Sequence, residues 1–149
     1  MRALALTGVV GSAVVDAVAA FDPSLIVLAQ DGALADEATA RGLSVGIVGI
    51  ADRAYNSDGT LVPRSEPGAV IHDVDVLVER TVRMVVEEVV EAVDGTLIPV
   101  VADTVLVHGD NPGAVANAKA IRAALEAAGV TIAPLTRVVA SRRARDVGC

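Results

Sequence analysis

Apolar positions recur along the chain with two spacings, one helical and one extended. Val14, Val18 and Phe21, with Val15 beside them, predict a helix from Ser12 to Phe21 that Asp22-Pro23 stops. Leu25 to Ala29 is a continuous apolar run and predicts a buried strand, closed by the turn pair Asp31-Gly32. Ala33 to Arg41 predicts a second helix, with Leu34 and Ala38 on one face and Gly42 past its end. Leu43 to Ile50 predicts a second strand, weakened by Gly46 and Gly49. Residues 3–6 read either as a short strand or as a disordered start.

Ala51 to Gly68 follows neither spacing. It carries the turn signal Asn56-Ser57-Asp58-Gly59 and two prolines, Pro63 and Pro67. Long irregular segments inside compact domains tend to be functional. Val70-Ile71 reads as a brief strand or the approach to a helix. Asp73 then caps a predicted helix running to Ala92, with Leu77, Val78, Val82, Val85 and Val89 inward, closed by Asp94-Gly95. Its many valines are poor helix formers, so packing must hold it. Thr96 to Val100 is extended, and 104–108 is a further strand. Asn111 as cap and Pro112 as first helical residue open a helix to Ala128. Ala114, Ala118, Ile121, Leu125 and Ala128 form its predicted buried stripe, and Gly129 ends it. Val130 to Ala133 predicts a last strand. Thr136 to Val147, with Arg137, Arg142, Arg143 and Arg145, reads as a terminal helix or a basic end.

Alternating strands and helices predict an α/β fold, a parallel sheet joined by right-handed crossovers. The length of 149 residues predicts a single domain over 1–149, with 135–149 as a basic tail. Four or so strands are too few to close a barrel of about eight. An open edge and uncovered Val/Ala surface predict a homo-oligomer.

Composition narrows the partners. The chain is 53% hydrophobic with one Phe, one Tyr and no Trp, which gives a core of small side chains. A net charge of −7 argues against nucleic acid, whose phosphates need a basic face. No apolar stretch approaches the ~20 residues of a membrane span, and no signal-peptide pattern opens the chain, so a cytoplasmic protein is expected. The single cysteine, Cys149, excludes an internal disulfide and a cysteine metal site, and is expected to be an exposed thiol. His72 and His108 lack the close spacing of a metal-ligand pair, so no metal is expected. Gly8-Val9-Val10-Gly11-Ser12 lacks the lysine of a phosphate-binding loop and the full dinucleotide spacing.

The candidate chemistry lies at two predicted strand ends. His108 and Asp110 follow the strand at 104–108, beside a helix N-terminus, where α/β proteins bind ligands. Asp52 and Arg53 follow the strand ending at Ile50. Simpler roles remain open for each. Asp110 helps cap the helix at Pro112, His108 is a partly buried packing histidine, and Asp52 and Arg53 form a salt bridge pinning the loop. Arg64 is a solvated loop residue, and Tyr55 and Asn56 serve turn geometry.

Three ordered segments resemble one known family. They are Ala51-Asp52-Arg53-Ala54-Tyr55 continuing to Ser65, Pro67-Gly68-Ala69-Val70-Ile71-His72-Asp73, and Ala102-Asp103-Thr104 continuing through His108-Gly109-Asp110-Asn111-Pro112. Together with Phe21-Asp22-Pro23-Ser24-Leu25 they are similar to the LamB/YcsF family, the A subunit of bacterial 5-oxoprolinase, from about residue 12 to about 134. The resemblance implies an incomplete TIM-like (β/α) barrel with parallel strands and flanking helices, here without the family's N-terminal third. The family's Asp-Leu-Asn-Cys-Asp-Leu-Gly-Glu, His-Ala-Gly-Asp-Pro and Lys-Pro-His-Gly-Ala-Leu-Tyr motifs have no counterpart. Val48-Gly49-Ile50 stands where the family usually has Glu-Val-Phe.

The resemblance implies ATP-dependent opening of the 5-oxoproline lactam to glutamate, together with other 5-oxoprolinase subunits. Such chemistry needs a polarised carbonyl, a nucleophile and a proton for the departing nitrogen. Asp52, His108 and Asp110 are the expected catalytic residues: the carboxylates as base or water holders, the imidazole as proton shuttle, because histidine ordinarily titrates near neutrality. Arg53 and Arg64 are expected to clamp the substrate carboxylate or a phosphorylated intermediate with forked hydrogen bonds, with Tyr55, Ser65 and Asn111 on the substrate side. ATP is expected to be held with the partner subunits. The alternative is a catalytically degenerate barrel fragment that binds a small acid or another subunit without turnover.

Overall fold

The computed structural model describes residues 9–146. Residues 3–6 and Cys149 lie outside them, as do the side chains of Arg143 and Arg145. The elements in chain order are α1 (Val9–Phe21), β1 (Ile26–Ala29), α2 (Ala33–Ala40), β2 (Ser44–Ile50), α3 (Val74–Val86), β3 (Val89–Glu91), β4 (Leu97–Pro99), β5 (Thr104–Leu106), α4 (Ala114–Ala127) and α5 (Leu135–Asp146). This is an α/β fold with parallel strands and flanking helices. No helix among the described residues is long and apolar enough to cross a membrane. The chain falls into two compact units, Met1–Val48 with Ala133–Cys149, and Gly49–Ile132.

In the first unit β1 and β2 pair in parallel, Ile26 opposite Ser44 and Ala29 opposite Ile47. Val15, Val27, Ala29, Ala35, Ala38, Leu43 and Val45 form its core. Small side chains here let α1 and α2 pack closely on the strands. α1 turns Val15 inward rather than the predicted Val14 and Phe21: Val15 is fully buried, whereas Phe21 is 84% exposed at the helix end. The basic tail forms α5, and Arg142 Nη2–H donates to the Val45 carbonyl at 2.9 Å.

The second unit begins at Gly49, within β2. Ala51 N–H donates to the Leu106 carbonyl at 3.0 Å, so the chain leaving β2 runs beside β5. α3 and α4 pack against each other over Ala51, Leu77, Ile121 and Leu125. The Asp73 carboxylate caps α3 by accepting from Asp75 N–H at 2.9 Å and Val76 N–H at 3.2 Å. Gly49 lets α3 approach the strand, since a Cβ there would meet Met84 Sδ and lie 3.1 Å from Ala102 Cβ.

Three predicted elements differ. The helix from Asp73 stops at Val86, and Glu88 takes a positive φ of 57°. Val89–Glu91 then pairs antiparallel with Leu97–Pro99 through the Asp94-Gly95 turn. Helix formation over Val89-Val90 loses to burial of Val90 with Tyr55 and Met84. α4 begins at Ala114 with Gly113 as its cap and no side-chain cap bond, so Asn111 and Pro112 belong to the preceding loop. Its buried residues are Asn117, Ile121 and Leu125, while Ala118 and Ala128 face outward. Val130 to Ala133 finds no ladder partner among the described residues; Val130 N–H instead closes back on the Leu125 carbonyl at 2.9 Å.

Candidate functional site

The strand ends after β2 and β5 lie next to each other within the second unit, and Asp52 and His108 bridge them. Asp52 is 1% exposed. One of its carboxylate oxygens accepts the His108 backbone N–H at 2.9 Å, and the other lies 2.8 Å from His108 Nδ1. A carboxylate only accepts, so this contact places a proton on Nδ1, and in the neutral ring Nε2 is the free acceptor. The His108 side chain is 28% exposed, which gives solvent or a ligand a route to the ring. A buried acceptor that orients an imidazole for proton transfer is a recurrent catalytic arrangement.

Asp110 and Arg64 form a second, outer pair. Arg64 Nη1 lies 3.2 Å from Asp110 Oδ2, with side-chain exposures of 49% and 65%. The Arg64 hydrogen bond holds the Asp110 carboxyl below the usual carboxylate range, with the protonated form of His108 acting in the same direction. His108, Asp110 and Arg64 thus share one electrostatic neighbourhood. Asn111 is half-buried behind Asp110, and its carbonyl accepts the Ala114 N–H at 3.1 Å. Ser65 is exposed on the long loop.

Arg53 and Tyr55 face inward instead. Arg53 is 7% exposed, and its guanidinium donates to the Ala69 carbonyl at 3.1 Å and the Val62 carbonyl at 2.5 Å. Burial, then the nearby Arg64 charge, pushes the Arg53 pKa below the usual arginine range, and Asp52 opposes them. The guanidinium therefore clips the loop from Asp52 to Val70, where Arg53 also bridges to Val70 and Tyr55 to Leu61. Tyr55 is 2% exposed, and its hydroxyl accepts the Ile50 N–H at 2.9 Å. Both positions expected to touch substrate build the wall behind the site. His72 is exposed ahead of the Asp73 cap.

Sequence reasoning missed Arg80. It sits on α3 between Leu77 and Met84, and its Nη2–H donates to the Arg53 carbonyl at 3.2 Å. Its guanidinium lies 5.4 Å from the centre of the Tyr55 ring. The available signal was its place three residues after Leu77 and four before Met84, a charged residue in an inward stripe. No group of three or more His, Cys, Asp or Glu side chains suited to a metal ion occurs among the described residues.

The profile of the LamB/YcsF family matches residues 4–140. The chain is 48% identical over 120 residues to the second 5-oxoprolinase A subunit of Bordetella bronchiseptica, covering 80% of this chain and 48% of that protein. It is 52% identical over 110 residues to the 5-oxoprolinase A subunit of Streptomyces griseus, covering 74% of this chain and 44% of that one. A solved structure, the lactam utilization protein of Thermus thermophilus, superposes with a TM-score of 0.76 at 42% identity. The match covers 83% of this chain and 49% of that protein. The chain spans about half the length of the curated relatives it matches.

Proposed function

The chain belongs to the LamB/YcsF family, and from that premise we propose that it acts in the opening of 5-oxoproline to glutamate, driven by ATP and carried out with the other subunits of 5-oxoprolinase. The observation that carries this reading is the double hydrogen bond from His108 to the buried Asp52 carboxylate, beside the exposed Asp110–Arg64 pair.

In this reading the lactam carbonyl oxygen takes the γ-phosphoryl group of ATP, which makes the ring carbon a better electrophile. A water gives its proton to His108 Nε2 and attacks that carbon. The C–N bond then breaks as the ring nitrogen takes a proton from the imidazolium, and the new hydroxyl becomes the acyl carbonyl by giving its proton to the released amine. Hydrolysis of the resulting acyl phosphate by a second water completes glutamate. Asp52 holds the imidazole and stabilises its charged form. Arg64 binds the substrate carboxylate or the transferred phosphoryl group, exchanging Asp110 for the ligand. Asp110, released from Arg64, orients the attacking water, with Ser65 and Asn111 as flanking polar groups. The chain's only lysine, Lys119, lies within α4 rather than in a glycine-rich loop, so the nucleotide is assigned to the partner subunits.

The test is formation of glutamate from 5-oxoproline and ATP by the chain with its partner subunits. Glutamate that depends on all components and is lost in Asp110→Asn is the expected result. Its absence from the full mixture overturns the enzymatic reading in favour of a binding role without turnover.

A further inference from the structure

We propose that Arg80 and Tyr55 act together as positioning residues for Asp52, and through Asp52 fix the tautomer and direction of the His108 ring. The inference deepens the function proposed above and rests on it for what the positioned imidazole does.

Asp52 is held from both sides along its own main chain. Two residues before it, the Ile50 N–H donates to the Tyr55 hydroxyl at 2.9 Å. Immediately after it, the Arg53 carbonyl accepts from Arg80 Nη2–H at 3.2 Å. Arg80 Nη1–H reaches the Glu91 carbonyl on β3 at 2.9 Å, and the same guanidinium lies 5.4 Å from the Tyr55 ring centre. The Asp52 carbonyl itself accepts the Ile71 N–H at 3.1 Å. One cation thus ties α3, β3 and the strand tip together, and its aromatic neighbour holds the residue on the other side of the tip.

Stability alone does not account for Arg80. Its Nε is buried and has no hydrogen-bond partner among the described residues. An orphaned buried donor costs free energy that an apolar side chain at the same place would avoid. A half-buried arginine with one donor unmet fits a residue kept for where it puts its neighbours. The imidazole depends on such placement, because a ring oriented by one carboxylate follows every shift of that carboxylate.

The experiment reads the His108 ring directly. His72 and His108 are the chain's two histidines, so His72→Gln leaves one imidazole to observe by nitrogen NMR. In this background the Nδ1–H form is expected to dominate. Arg80→Met is expected to fold, since Arg80 flanks a cavity of about 330 Å³ that gives methionine room to repack. Its His108 signal is expected to move toward the Nε2–H form that free histidine prefers in water. Arg80→Lys keeps the charge but not the fork, and is expected to shift the ring in the same direction. Tyr55→Phe is expected to shift it less. In the assembled enzyme Arg80→Met is expected to lower kcat by about 10–100-fold with little change in KM.

A His108 tautomer unchanged in Arg80→Met overturns the proposal. If that variant does not fold, an unchanged tautomer in Arg80→Lys overturns it. A shifted tautomer in a system that makes no glutamate even with the unsubstituted chain leaves the positioning intact and removes the enzymatic reading.

Discussion

The Asp52 carboxylate holds His108 twice, by its backbone N–H at 2.9 Å and its ring Nδ1 at 2.8 Å, across 56 positions of sequence. The first bond fixes where the second strand tip sits, and the second fixes how its side chain points. Structure and chemistry at this site therefore share one buried group.

Asp52→Asn separates those two roles. Asparagine keeps one acceptor and can still take the His108 backbone N–H. Its amide then donates to Nδ1, so the ring proton is expected to move to Nε2. Nitrogen NMR of His108 should show the Nε2–H form, and turnover of the assembled enzyme should fall by about 10⁴-fold. A ring that keeps the Nδ1–H form in this variant would falsify the assigned hydrogen bond.

The outer pair sets a pH dependence whose sign follows from Asp110. Its folded pKa is depressed, chiefly by the Arg64 hydrogen bond. The interaction is therefore present above the unfolded carboxylate value of 3.8 and is lost as pH falls through the lower folded value. Carbon NMR of the Asp110 carboxyl should titrate below an ordinary aspartate. Arg64→Ala should raise the midpoint, and added salt should raise it in the unsubstituted chain. A midpoint that ignores both changes refutes the pair.

Tyr55→Phe removes the acceptor of the Ile50 N–H at a position only 2% exposed. An unpaired buried donor costs about 1–3 kcal/mol. Urea unfolding should report a loss of that size with an unchanged slope. A loss near zero means that Ile50 finds another acceptor.

At Gly49 the limit is space. A Cβ would meet Met84 Sδ and lie 3.1 Å from Ala102 Cβ. Gly49→Ala is expected to cost about 1–3 kcal/mol through overpacking. Trimming Met84 to alanine in the same chain should recover part of it. The double-mutant cycle checks this: additive losses exclude the contact.

Much of the fold was legible because burial follows periodicity. β1, β2 and α2 fall within a residue or two of the runs Leu25–Ala29, Leu43–Ile50 and Ala33–Arg41. The helix from Asp73 was legible at its start, where a local cap operates, but not at its end. There the choice between helix and strand was made by Val90 packing on Tyr55 and Met84, partners brought in by the fold. Pro112 misled for a related reason: a good first helical residue does not start a helix when the loop before it holds the chain until Gly113. In the site, the two strand ends were visible as Asp52 and His108-Gly109-Asp110. The inward aim of Arg53 and Tyr55 was not, because side-chain type reports hydrogen-bonding capacity and not which carbonyls the fold brings near. Arg80 was hidden by its charge, which reads as surface until its neighbours on the helix are counted.

Arg53 closes its loop from within, with a single side chain spanning the carbonyls of Val62 and Ala69. The turn from Asn56 to Thr60 lies outside that clasp and carries bonds of its own, Asn56 N–H to the Thr60 carbonyl and Thr60 N–H to the Asp58 carboxylate, while Ser57 hydrogen-bonds the Asp94 carboxylate. Changes in this turn must therefore spare Asp58, which holds Thr60, and Gly59, whose φ of 82° favours glycine. With those two residues kept, the exposed Ser57 is the place on that hairpin end to graft a fluorophore or an affinity handle for watching the histidine.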